Sequence, residues 1–196
     1  SVDLDGIELP AIVNRQPADR ERPFLPFGAS SDDSAPDFLP IGDRTLVRQT
    51  SSTHGVNGYI TTDPEEIAMM QQRLKHKIEG EVAGFTYFDE ILEPEADTLI
   101  VTYGITSRAA KMAVKRLKAQ GHATSLLVLK TLWPVPENFI QEKAAPYNRV
   151  VVAEMNLGQY VRELQRILPH KKIDFIGQMN GELIKPGRIM EEVENG

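Results

Sequence analysis

Short apolar runs alternate with helical periodicity through the C-terminal half of the chain. Thr98–Thr102 (TLIVT), Thr124–Leu129 (TSLLVL), Val150–Ala153 (VVVA) and Ile173–Ile176 (IDFI) are too short for helices and rich in β-branched residues, so they predict strands buried on both faces. Between them apolar positions recur at spacings of three and four. Ile105, Ala109, Met112, Ala113 and Leu117 fill the first gap, Phe139 and Ile140 follow Pro136, and Leu157, Tyr160, Val161, Leu164 and Leu168 fill the third. Strand starts fall about 25 residues apart, room for a strand, a helix and two short loops, which predicts βαβ crossovers in a largely parallel sheet. Pro186-Gly187-Arg188-Ile189-Met190 opens a last helix. The expected architecture is a three-layer α/β/α sandwich.

Upstream the pattern changes. Asp63 can cap free N–H groups, Pro64 suits a first helical position, and Glu65 and Glu66 favour the positive end of the helix dipole, so a helix is expected from here to about Gly80. Ile67, Met70, Leu74 and Ile78 form its apolar stripe, with Met69 and Met70 read as packing residues. Residues 1–60 carry six prolines, nine acids, five bases and no sustained apolar period. Arg22-Pro23-Phe24-Leu25-Pro26-Phe27 therefore reads as an extended arm whose aromatics need a partner surface, and Ser30-Ser31-Asp32-Asp33-Ser34 equally suits a disordered linker. The domain division expected is 1–60 as arm or linker and 61–196 as the α/β/α domain.

The chain has 196 residues and no cysteine, which removes disulfide scaffolds, Cys-ligated zinc, thiolate nucleophiles and iron–sulfur ligation by this chain, and suits a cytoplasmic setting. Twenty-two bases against 28 acids give a net charge of −6, opposite in sign to the usual nucleic-acid binder. No apolar run approaches the roughly 20 residues that a bilayer span needs, so no membrane partner is expected. The opening Ser1-Val2-Asp3 lacks an initiator Met, and a piece of something longer is expected.

In such a sheet ligands and partners meet the carboxyl ends of the strands. Tyr103-Gly104-Ile105-Thr106-Ser107, Thr131-Leu132-Trp133-Pro134, Glu154-Met155-Asn156-Leu157-Gly158-Gln159 and Gly177-Gln178-Met179-Asn180-Gly181 form that edge. Glu154 is its one side chain in these runs that is charged near neutral pH, and acid–base work needs a tuned partner, so the edge is expected to bind and not to catalyse. Thr106 and Ser107 suit either an anion cradle with free backbone N–H groups or ordinary N-caps. Trp133 suits either an interface anchor or a partly buried core position. Arg108, Lys111, Lys115 and Lys118, with Arg116, form a basic stripe that suits a solvated face or an acidic partner. His54, His76, His122 and His170 lack metal-ligand spacing, and neither G-x-G-x-x-G nor a P-loop occurs, so no metal and no nucleotide site is expected.

Three runs together suggest a family: Val101-Thr102-Tyr103-Gly104, Leu132-Trp133-Pro134-Val135-Pro136, and Val152-Ala153-Glu154-Met155-Asn156-Leu157-Gly158-Gln159. With Thr50–Pro64 upstream, they resemble the C-terminal part of the α subunit of 2-oxoacid:ferredoxin oxidoreductases, notably the 2-oxoglutarate type. The resemblance implies a transketolase C-terminal-like domain, a five-stranded sheet with one antiparallel strand. Phe85–Leu92 (FTYFDEIL) is the candidate for that strand or for a short helix. It also implies the whole complex's reaction: 2-oxoacid and coenzyme A become acyl-CoA and carbon dioxide with reduction of ferredoxin, using thiamine diphosphate, magnesium and iron–sulfur clusters. The implied neighbours are the pyrimidine-binding domain of the same subunit and the β subunit. This chain is then expected to hold no catalytic residue and no cofactor of its own. Asn156, Gly158 and Gln159 would bond to a neighbouring domain or cofactor shell, and Leu132, Trp133 and Pro134 would form the apolar contact. The alternative is a free-standing α/β module taking a small anionic ligand at Gly104, Thr106 and Ser107, with Tyr103 a further ligand or interface candidate beside them.

Overall fold

The computed structural model describes residues 11–196 apart from 13, 32 and 33, and the chain divides into two compact units between Gly80 and Glu81. The first ten residues of the expected arm, and Asp32 and Asp33 of the expected linker, lie outside the described residues.

The first unit ends in helix α1 (Pro64–Glu79). Asp63 starts it as expected, its Oδ1 accepting from the N–H groups of Glu65 and Glu66 at 3.0 and 2.9 Å. The unit boundary follows this helix instead of preceding it. Arg73 donates to the Ser34 carbonyl at 2.7 Å, and the Glu66 carboxylate lies against Gly55, so α1 is tied to chain ahead of it. Phe27 finds its partner locally: its ring stacks on His54 at 3.7 Å, and its N–H donates to the Val56 carbonyl. Of the expected helix stripe Met70 is buried, whereas Leu74 and Ile78 each remain 46% exposed.

The second unit opens with a single 3₁₀ turn (Val82–Phe85) and then β1 (Phe88–Ile91), so of the two alternatives for Phe85–Leu92 the segment forms the strand. There follow β2 (Thr98–Tyr103), α2 (Thr106–Ala119), β3 (Thr124–Leu129), α3 (Glu137–Ala144), β4 (Arg149–Glu154), α4 (Tyr160–Ile167), β5 (Lys172–Gly177) and α5 (Pro186–Asn195). The strand order is β1-β3-β2-β4-β5, parallel except for β1, which runs antiparallel to β3. Alternation along the strands separates two cores. Leu99, Val101, Leu127, Leu129, Val150 and Val152 face α3 and α4, and Ile100, Leu126, Val128, Val151 and Ala153 face α2 and α5. Helices thus cover both faces, giving the three layers expected, and each fully buried Leu, Ile or Val contributes roughly 1.5–3 kcal/mol.

Helix phase differs from expectation in two places. The buried face of α2 is Thr106, Ala110, Ala113, Val114 and Leu117, while Ile105 and Met112 are exposed. Ala113 and Leu117 of the expected stripe are buried and Ala109 is half-buried, while Thr106, Ala110 and Val114, each one or two positions on, take the places expected of Ile105, Ala109 and Met112 against the sheet. Leu157, expected on α4, is 74% exposed in the loop before it. Two members of the basic stripe are claimed within the unit: Lys111 pairs with Asp89, and Lys118 with Glu93 at 2.8 Å. At the opposite end of the sheet buried Arg149 bonds Asp174 at 2.5 Å and the carbonyls of Glu192 and Val193, clamping the end of α5.

Parallel pairing brings the ends of β2 to β5 to one rim: Tyr103 is level with Leu129, and Glu154 with Gly177. Because β1 runs the other way, its beginning joins the same rim, with Phe88 opposite Leu129.

Candidate functional site

Glu154 closes β4 with only 1% of its surface exposed. A buried carboxylate is costly unless its oxygens are filled, and here they take four donors. Oε2 accepts from the Tyr103 hydroxyl at 2.7 Å, from Asn156 Nδ2 at 2.9 Å and from the Tyr160 N–H at 3.0 Å, while Oε1 accepts from the Val161 N–H at 3.0 Å. The carboxylate therefore holds the first turn of α4, whose N-cap residue, Gln159, makes no side-chain cap bond. Asn156 completes the bracket. Its Nδ2 also donates to the Tyr103 hydroxyl oxygen at 2.7 Å, and its Oδ1 accepts from the N–H groups of Gly158 and Gln159 at 2.8 and 2.9 Å.

Burial, and then the bond to Glu154, push the Tyr103 phenol up to about 12 from its ordinary 10.0. Burial raises the Tyr160 phenol too, and the Tyr160 hydroxyl has no hydrogen-bond partner. Neither tyrosine is poised for proton transfer near neutral pH. Gly158 makes the turn possible. Its φ is +86°, and a Cβ there would lie 3.1 Å from Val161 Cγ1 and 3.5 Å from the Phe175 ring.

The other half of the rim is built differently. Ser107 donates its hydroxyl to the Gly104 carbonyl at 2.7 Å, and the N-cap position of α2 is Ile105, with no side-chain cap. The N-cap expectation for Thr106 and Ser107 is thus corrected: Thr106 is buried on the sheet face, and Ser107 uses its hydrogen on the turn instead of accepting from the helix. Tyr103, Gly104 and Ser107 line an open cleft of about 400 Å³ together with Asp89, Val128, Leu129, Lys130 and Leu132. Asp89 accepts from Lys130 and, at 3.1 Å, from Lys111, and these two bonds hold its carboxyl below the usual carboxylate range. Trp133 is 79% exposed on the β3–α3 loop, which removes the core alternative for it, while Leu132 packs against the α3–α4 core.

The sequence-expected residues therefore gather in two groups. Tyr103, Asn156, Gly158 and Gln159 share one hydrogen-bond network, and Tyr103, Gly104 and Ser107 share the cleft, with Trp133 displayed on the neighbouring loop. The expected outward bonds of Asn156 are corrected as well, since its amide spends both N–H groups and both acceptor positions inside the domain. Sequence reasoning missed the hub role of Glu154 and the Asp89–Lys111–Lys130 cluster. A carboxylate ending an apolar strand and followed two residues later by Asn was the available signal for the first. The second needed the β1 register. Among the described residues no three His, Cys, Asp or Glu side chains converge as metal ligands, and no helix is long and apolar enough to cross a membrane.

Residues 96–189 match the family model described as pyruvate:ferredoxin oxidoreductase core domain II. The 2-oxoglutarate synthase subunit KorA of Methanothermobacter thermautotrophicus is 30% identical over 181 residues, 91% of this chain and 48% of that protein. Its counterpart from Methanocaldococcus jannaschii is 31% identical over 195 residues, 96% of this chain and 50% of that protein. The chain spans about half the length of the curated relatives it matches. In fold it is similar to the 2-oxoglutarate:ferredoxin oxidoreductase from Magnetococcus marinus, solved with 2-oxoglutarate, coenzyme A and succinyl-CoA bound. That match has a TM-score of 0.80 at 24% identity and covers 94% of this chain and 32% of that one. With its mixed five-stranded sheet and the Leu-Trp-Pro and Asn-Leu-Gly-Gln loops on one rim, the chain belongs to the 2-oxoacid:ferredoxin oxidoreductase family, as a piece of an oxidoreductase subunit that includes core domain II.

Proposed function

We propose that this chain is a non-catalytic scaffold and interface domain of the α subunit of a thiamine diphosphate-dependent 2-oxoacid:ferredoxin oxidoreductase of the 2-oxoglutarate type, working in the cytoplasm. The whole complex would convert a 2-oxoacid and coenzyme A to acyl-CoA and carbon dioxide while reducing ferredoxin. The observation that carries this role is the state of Glu154: all four of its donors come from the domain itself, so the carboxylate shapes the rim and is not presented to a substrate. For the same reason it is not free to ligate magnesium or to meet a thiamine ring. The cofactors belong, in this proposal, to the pyrimidine-binding domain of the same subunit and to the β subunit.

The loops that the bracket stiffens display apolar side chains to solvent. Trp133 is 79% exposed and Leu157 74%, on two connections of one rim, as a contact surface for those neighbours requires. In the assembled complex the double substitution Trp133→Ala with Leu157→Ala should reduce subunit association, read by size-exclusion chromatography, and with it 2-oxoacid-dependent reduction of an artificial electron acceptor. Association and turnover at unchanged levels would overturn the interface role. Turnover by this polypeptide alone would overturn the scaffold role.

A further inference from the structure

The cleft at the β1–β3 end of the rim is not used by the scaffold role. Its charged lining is Asp89 and Lys130, and Asp89 accepts both from Lys130 and from Lys111, which stands outside the lining, so the cluster as a whole sets two ammonium groups against one carboxylate. Its remaining walls are the Tyr103 ring, Val128, Leu129 and Leu132. The nearby hydroxyls are already committed, that of Tyr103 to Glu154 and that of Ser107 to the Gly104 carbonyl. The wall carrying Lys130 is fixed in place. The Tyr87 carbonyl accepts from the N–H groups of Lys130 and Thr131, the Tyr87 N–H donates to Thr131 Oγ1 at 3.0 Å, and that hydroxyl donates to the Phe85 carbonyl at 2.5 Å. On the far side no heavy atom lies within 4 Å of where a Cβ on Gly104 would stand, so the mouth is open there. A space of about 400 Å³ falls in the range of small-molecule sites.

We propose that this cleft binds a small monocarboxylate with an apolar body, its carboxylate meeting the Lys130 ammonium at the mouth and its body lying on Tyr103 and Leu132. The cluster's single excess positive charge matches a monoanion, and the resident Asp89 carboxylate repels a second negative charge, which disfavours polyphosphates. The proposal goes beyond the scaffold role and does not depend on it, because every lining residue belongs to the second unit.

The chain has one tryptophan, and it follows Leu132 directly, so Trp133 fluorescence together with calorimetry reports on the cleft. The probe is 4-methylpentanoate, with 3-methylbutylamine as a cation of similar shape and inorganic phosphate as an anion without an apolar body. Expected are saturable millimolar binding of the acid and, for amine and phosphate, affinities about tenfold lower or less. Lys130→Met should weaken the acid about fivefold, and Asp89→Asn, which removes the competing carboxylate, should tighten it about threefold. The gain expected from Asp89→Asn keeps the test readable should Lys130→Met fail to fold, since misfolding does not raise affinity. Equal binding of amine and acid, no saturation by about 20 mM, or an Asp89→Asn variant indistinguishable from the parent would each overturn the proposal.

Discussion

The two halves of the rim use the same kinds of residue to opposite ends. On the β4–α4 side, Glu154 and Asn156 turn their polar atoms inward, and the loop they bracket shows solvent an apolar Leu157. On the β2–α2 side, Gly104 stands open, Ser107 satisfies only its own turn, and Lys130 and Asp89 remain at the mouth of a cleft. Buried polar groups that are all partnered specify one loop shape, whereas half-exposed ones keep capacity for another molecule. A rim rich in amides and hydroxyls is thus not uniformly a binding edge. Its first task at β4 is to stay folded.

The strongest way to break this contrast is at its hub. Glu154→Ala would leave the N–H groups of Tyr160 and Val161 and the Tyr103 hydroxyl without their acceptor, and should cost about 3–4 kcal/mol in urea denaturation. A loss within experimental error would show that the bracket is dispensable. Next come the two left-handed glycines. Gly158→Val meets both an unfavourable φ and Val161, and should cost about 2–3 kcal/mol, whereas Gly104→Ala meets only the φ and should cost about 1 kcal/mol. Equal losses would mean that the crowding around Gly158 relaxes freely.

A smaller effect separates the halves by pH. The Tyr103 phenol titrates at about 12 in the fold and near 10.0 when unfolded, so its protonated form is favoured by folding. The associated stability is intact below pH 10 and drains away as pH rises through about 12, because the unfolded chain releases the proton first. Tyr160 adds in the same direction. Tyr103→Phe should flatten the alkaline fall in denaturation midpoint, and an unchanged slope would place its cause elsewhere. The smallest effect belongs to the display surface. Trp133→Ala should change the stability of the isolated chain by no more than about 0.5 kcal/mol, since the ring is 79% exposed, and a large loss would reveal a structural role.

Much of the second unit was legible because buried parallel strands are nearly continuous apolar runs. TSLLVL is β3 residue for residue, and VVVA lacks only its flanking Arg149 and Glu154. The antiparallel edge strand was not visible to periodicity. Phe88–Ile91 has one half-covered face, carries Asp89 and Glu90, and draws its partners Lys111, Lys130 and Lys143 from three other segments. Of the candidate site, the resemblance singled out loops that do lie on one rim, but not what their atoms do within the domain. Asn156 was expected to reach outward and instead reaches back, because a helix whose N-cap residue makes no side-chain cap bond draws on the nearest carboxylate and amide.

Strand, helix and layer order follow from local periods and turn residues, which act over a few neighbours and so are written in the chain itself. Which face of α2 is buried, which carboxylate is spent inside and which lysines meet Asp89 depend on register and helix angle. Those are settled only when segments tens of residues apart pack together, since an ion pair or a bracket exists only where the sheet places both partners within about 3 Å.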